Sequence, residues 1–192
     1  GEGVGLTSAC LGLVYALECQ GVKAGFFKPF SQEQHQDLDR STALYRHLSN
    51  SETVEPIPYT TVVQQLNLDE SDELLEEAVR LQRQIAKHHD LIIVEGLVPN
   101  SRDAFASELN ASLAQALDAK VIVVSNADIQ QATGTAEKVE RQLRYFGGAT
   151  STRMAGVLFM RTKGLPEGSA QIPVTLDPNL RLAGDTERFT AN

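Results

Sequence analysis

Tryptophan is absent from this chain of 192 residues, and only two cysteines and two methionines occur. The cysteines exclude a disulfide framework. Cys10 and Cys19 fall nine residues apart on one predicted helix, and at a rise of about 1.5 Å per residue they sit too far apart for a bridge. Both are expected to be reduced, acting as small apolar fillers in a cytoplasmic protein. No apolar run approaches the roughly 20 residues that cross a bilayer, and no signal peptide is visible. Basic residues are in the minority, 17 against 25 acidic ones, for a formal charge of −8. That balance excludes broad binding to nucleic acid or to an anionic membrane surface, since both need a basic footprint. There is no Gly-x-Ser-x-Gly elbow and no Cys/His pairing of the kind that supports covalent catalysis. His88-His89 ends a predicted helix without a partner at metal-ligand spacing, so a role in the helix dipole is the expected one.

What is present is enough apolar material, 42% of the residues, to bury the core of one α/β domain. Leu6, Cys10, Leu13, Val14 and Leu17 recur at helical spacing, with Gly21 as the stop. Ala24-Gly25-Phe26-Phe27 follows as a short strand ending at Lys28-Pro29. Gln32 to Asp39 is polar and reads as a surface loop, and Ser41 to Leu48 as a short helix. Pro56 and Pro58 break the chain before a short apolar pattern at Val62, Val63 and Leu66.

Asp69 to Lys87 is the clearest helix. Leu74, Leu75, Ala78, Val79, Leu81 and Ile85 supply its buried stripe, with acids at its start and bases near its end. Leu91-Ile92-Ile93-Val94 and Val121-Ile122-Val123-Val124 are continuous apolar runs of the kind covered on both faces of a sheet. Helices are predicted over Asp103 to Leu117 and from Thr135 to Phe146, the latter stopped by Gly147-Gly148, and a last strand over Met154 to Met160. Strands alternating with helices predict an α/β fold with a doubly wound, mostly parallel sheet. Ligands in such sheets bind beyond the carboxyl ends of the strands.

One motif stands at the start. Gly1-Glu2-Gly3-Val4-Gly5-Leu6-Thr7-Ser8 reads as the last part of a phosphate-binding loop, with Leu6 where a Walker A lysine would reach the phosphates. Gly3 and Gly5 would let backbone approach an anion, beside Val4 and Ser8, and the helix starting near Leu6 offers its positive end. Thr7 is the hydroxyl a Mg²⁺ ion would use. Glu95, after four apolar residues, stands where a Walker B acid would orient that metal. Lys28 could replace some of the charge missing at position 6, and Asn126 follows another predicted strand. Each also has a plainer reading: a glycine turn, a strand-end acid, a solvated lysine. Their shared position at strand ends is what joins them. A P-loop is normally fed by a hydrophobic strand, which here would precede Gly1, so the chain reads as a fragment whose first strand is missing.

Several segments together resemble a known family. Gly3-Val4-Gly5-Leu6-Thr7-Ser8, Gly25-Phe26-Phe27-Lys28-Pro29 and Val94-Glu95-Gly96-Leu97-Val98-Pro99 are similar to the N-terminal domain of long-form bacterial phosphate acetyltransferases. Leu109-Asn110, the run Asp118 to Val124, and Phe146-Gly147-Gly148 share that likeness. The domain is in turn similar to dethiobiotin synthetase, a P-loop enzyme using ATP and Mg²⁺. There Leu6 matches the loop lysine, Lys28-Pro29 the family's Lys-Pro, and Glu95-Gly96 its Glu-Gly. Met160 falls where related domains place an asparagine that reads a nucleotide base.

The resemblance implies a degenerate P-loop domain over residues 1–165, with 166–192 a polar tail or linker toward a following domain. It implies a parent enzyme that converts acetyl-CoA and phosphate to acetyl phosphate and CoA, on a separate C-terminal acetyltransferase domain. This region is then a non-catalytic regulatory or assembly part of a homo-oligomer, responding to a small-molecule effector. The rival expectations are an active ATP-dependent enzyme of the dethiobiotin synthetase type, and a scaffold that binds nothing.

Overall fold

A computed structural model of the chain describes residues 5–33, 39–49, 51, 53–101, 103–128 and 132–163. The predicted loop residues Gly3 and Val4 and the predicted tail 166–192 lie outside them. Six helices and four strands occur among the described residues, and both strand pairs are parallel. The fold is therefore α/β, as the alternation of periods predicts. The chain divides into two compact units, one running from Leu6 to Val98, the other taking in Gly5 and the residues from Pro99 onward.

The first unit begins with α1 (Leu6–Cys19) and β1 (Ala24–Phe27). Helix α1 ends in a paired cap: Val22 N–H donates to Leu17 O at 3.1 Å and Gly21 N–H to Glu18 O at 2.9 Å. That geometry needs the left-handed φ of +82° at Gly21, which a glycine adopts without cost to a Cβ. Next come α2 (Arg40–Ser49), α3 (Tyr59–Asn67) and α4 (Ser71–Ala86), then β2 (Leu91–Val94). The apolar pattern at Val62, Val63 and Leu66 is thus a helix. On α4, Leu74, Ala78 and Ile85 of the expected stripe are buried.

Strand β1 pairs with β2 from Ala24 opposite Leu91 to Phe27 opposite Val94. All four β1 residues are buried, and Phe26 joins Cys10, Val14, Ala24 and Tyr45 in one core cluster, with Leu6, Leu11, Leu17 and Ile93 packed on it. Phe26 and Tyr45 place their rings 5.3 Å apart. Strand β2 is only half-buried at every position, against the expectation of cover on both faces. The reason is its pairing: among the described residues β2 has β1 alone as a neighbour. The other edge of β1 is occupied at one carbonyl. Thr53 Oγ1 donates to Phe26 O at 2.8 Å, and just beyond the strand Phe30 bridges to Ile57.

In the second unit, α5 (Ala106–Ala116) precedes β3 (Val121–Asp128), and α6 (Ala132–Arg144) precedes β4 (Met154–Lys163). The β3–β4 register sets Val121 opposite Met154 and, after a shift, Ser125 opposite Phe159 and Asn126 opposite Met160. Val139 and Leu143 of α6 bury against Val123, with Val121, Met154, Val157 and Phe159 around them. Both cysteines are free, but only Cys10 is buried; Cys19 is exposed, so its filler role does not hold. Among the described residues no helix is long and apolar enough to cross a membrane.

Candidate functional site

Inside the first unit, the carboxyl ends of β1 and β2 bring together residues from four places in the chain. Lys28 follows β1 directly. Glu95 follows β2, and its N–H donates to Phe27 O at 2.8 Å, carrying the strand ladder one step further and fixing the acid beside the lysine. Thr7 comes from the first turn of α1. Asp39 and Ser41 come from the start of α2, where Asp39 Oδ1 accepts from the Thr42 N–H at 3.0 Å and from the Thr42 hydroxyl at 3.2 Å. Asp39 is thereby an N-cap, held in place by the helix it begins.

The bonds converge on one lysine and one hydroxyl. Lys28 Nζ lies 2.9 Å from Asp39 Oδ2, 3.4 Å from Glu95 Oε1 and 3.2 Å from Ser41 Oγ. Ser41 donates its single hydroxyl proton to Glu95 Oε1 at 2.9 Å and accepts from Lys28. Thr7 Oγ1 sits 3.0 Å from Ser41 Oγ and 3.3 Å from Glu95 Oε1, so its proton is shared between them. Ser31 Oγ adds a further bond to Asp39 Oδ2 at 3.3 Å.

Lys28, Asp39 and Glu95 are 7%, 4% and 4% exposed, so their charges meet in a poorly solvated place. Opposite charges about 4 Å apart attract by about 4 kcal/mol at an effective dielectric of ~20. One ammonium must serve two carboxylates, and the closer one, Asp39, takes the larger share. Glu95 is left under-compensated. Its burial raises its pKa above the ordinary value, outweighing the lowering by Lys28, Ser41 and Thr7, and its Oε2 is buried without a partner. The neighbouring Cys10 thiol is pushed well up, first by burial and then by the charge of Glu95, which leaves it without nucleophilic character.

Of the residues singled out by sequence, Thr7, Lys28 and Glu95 are therefore joined. Leu6 packs against the core cluster. Ser8 is exposed. Gly5, with φ of +79°, belongs to the other unit, where a Cβ on it would meet the Met160 methyl at 3.6 Å. Asn126 lies there too, across the strand pair from Met160. Sequence reasoning missed Asp39 and Ser41. Asp39, three residues before Thr42, carries an N-cap signal, but nothing local announces a bond from it to Lys28.

Among the described residues this donor set holds no uncommitted cation for a nucleotide phosphate. Phosphate needs uncommitted positive charge, and the Lys28 ammonium is already shared by two carboxylates. A magnesium ion needs several free oxygens; the Thr7 hydroxyl is engaged, and no cluster of three metal-ligating side chains occurs among the described residues. In this cluster, among the described residues, Glu95 Oε2 is left as an unpartnered acceptor, and the ammonium beside it opposes a second cation.

The sequence pattern of a family described as AAA domain matches residues 1–175. The phosphate acetyltransferase of Acinetobacter baylyi is 61% identical over 190 residues, covering 99% of this chain and 26% of that protein. The phosphate acetyltransferase of Pseudomonas aeruginosa is 40% identical over 85% of this chain and 24% of its own length, and that of Escherichia coli 34% over 82% and 22%. The chain thus spans about a quarter of the length of these relatives. Matched over most of its residues and folded around parallel strand pairs with helices between them, this chain belongs to the AAA domain family, in the form shared with phosphate acetyltransferases.

Proposed function

We propose that the chain is a non-catalytic regulatory or assembly domain of a phosphate acetyltransferase, the enzyme that exchanges acetyl-CoA and phosphate for acetyl phosphate and CoA. The observation that carries this reading is the pairing of Lys28 with both Asp39 and Glu95. In a nucleotide hydrolase a loop lysine faces the phosphates; here Leu6 stands at that place, and the charge of Lys28 is spent within the protein. The polar cluster then acts as a tie between α1, α2 and the two strand ends. Its natural partners are an acetyltransferase domain on the same polypeptide and further copies in a cytoplasmic homo-oligomer, with a small-molecule effector as the regulating signal.

The unpaired edge of β2 supports a finer view of the fold. Its half-buried Leu91-Ile92-Ile93-Val94 run and open ladder are what a further strand of a doubly wound, dethiobiotin-synthetase-like sheet would cover. Two measurements test the functional reading. Calorimetric titration of ATP–Mg²⁺ into the chain is expected to give no saturable heat up to millimolar ligand, and acetyl phosphate is not expected to form from acetyl-CoA and phosphate. ATP hydrolysis, or acetyl transfer by the chain alone, would overturn it; micromolar nucleotide binding without turnover would name nucleotide as the effector.

A further inference from the structure

We propose that Asp39 is the resident anion of this site: its carboxylate fills, by covalent attachment to the chain, the seat beside Lys28 that a free phosphate group would otherwise take. This inference rests on the reading of the loop as non-catalytic and goes further, because it names what closes the site and how to open it.

Three observations carry it. The first is position. Lys28 Nζ is 2.9 Å from Asp39 Oδ2, and through the single hydroxyl of Ser41 it connects to Thr7 in the first turn of α1. An oxyanion accepted there would meet the ammonium and the hydroxyls at a helix start, a combination suited to phosphate. The second is fixation. Asp39 is held from three directions, by Lys28, by Ser31 Oγ and by the N–H and hydroxyl of Thr42, so it is a built-in occupant. The third is charge. With Glu95 ionised, the cluster of Lys28, Asp39 and Glu95 carries one net negative charge, which repels an incoming anion; with Glu95 protonated it is neutral. Removing the Asp39 charge raises the total by one in either state, to neutral or to positive.

The chemistry of Asp39 also makes the test clean. Its carboxylate does two separable jobs, capping α2 through one oxygen and neutralising Lys28 through the other. Serine and asparagine both cap helices well. Asp39→Ser keeps a capping oxygen and vacates the space beside Lys28, while Asp39→Asn keeps both cap and shape and removes only the charge.

Inorganic phosphate is titrated calorimetrically into the unaltered chain and both variants, with thermal melts to confirm folding. No saturable binding is expected for the unaltered chain, and saturable binding for Asp39→Ser, tighter by at least about tenfold. That gain is expected to disappear in Asp39→Ser combined with Lys28→Met. If both folded variants stay as silent as the parent, the inference fails while the non-catalytic reading stands. Should Asp39→Ser not fold, Asp39→Gly, which vacates the same space and is tolerated at a helix cap, decides in its place, and its failure to bind phosphate overturns the proposal. Saturable phosphate binding by the unaltered chain would overturn the self-occupied site.

Discussion

Ser41 Oγ donates a 2.9 Å hydrogen bond to Glu95 Oε1 across 54 positions of sequence. That one proton fixes the roles of its neighbours. Because Ser41 gives its hydrogen to Glu95, it can only accept from Lys28, and the Thr7 hydroxyl must supply its own proton to the pair.

Replacing Ser41 by alanine removes an acceptor from the buried Lys28 and a donor from the buried Glu95. Loss of hydrogen bonds to charged, desolvated groups typically costs about 1.5–3 kcal/mol. Urea unfolding of Ser41→Ala is expected to show that loss as a lower midpoint with an unchanged slope. An unchanged midpoint would mean that the hydroxyl is incidental to the tie.

Glu95 sets a pH dependence of known sign. Its folded pKa is raised above the ordinary value of 4.5, chiefly by burial. The folded state therefore holds the proton more tightly than the unfolded one, and stability falls as pH rises from the ordinary value through the folded value. Glu95→Gln mimics the protonated side chain and is expected to flatten that part of the curve. The check is a series of urea midpoints against pH for both proteins; parallel curves would count against a raised pKa.

Tyr45 buries its ring at 1% exposure, and its hydroxyl has no partner. Burying an unsatisfied hydroxyl costs about 1–3 kcal/mol. Tyr45→Phe keeps the ring against Phe26 and removes the orphan group, so a melting temperature equal to or above that of the parent is expected. A clear drop would reveal that the hydroxyl is satisfied.

Gly25 is required by its neighbour. A Cβ at that position would lie 2.8 Å from His89 Cγ, and His89 is held by a 2.9 Å contact of Nδ1 with Ile85 O. Gly25→Ala is expected to destabilise by about 1–3 kcal/mol, as overpacking does. Combined with His89→Ala the cost is expected to be less than additive, since the clash then has no partner. Strict additivity in the double-mutant cycle would place the strain elsewhere.

Strong local periodicity made much of this molecule legible in its sequence. The stripe on α4, the run of β2 and the glycine stop of α1 are each written in consecutive residues, and they fall where the pattern puts them. Thr7, Lys28 and Glu95 were found because the carboxyl ends of parallel strands are a place a reader can search. Asp39 and Ser41 were not. They lie in and just after a polar stretch that resembles any solvated loop, and their partners are distant in sequence. The half-burial of β2 was equally illegible, because an apolar run reports what a strand can bury and not which neighbours it has. Leu6 shows a further limit: a loop motif marks its place at the start of α1 but not the core cluster its side chain packs on.

The guarded edge of β1 has a consequence for association. Thr53 occupies the Phe26 carbonyl on the side away from β2, so among the described strands this sheet presents one sticky border and one blunt border. A strand added at β2 would complete its open ladder, while at Phe26 an approaching backbone donor would first have to displace the Thr53 hydroxyl.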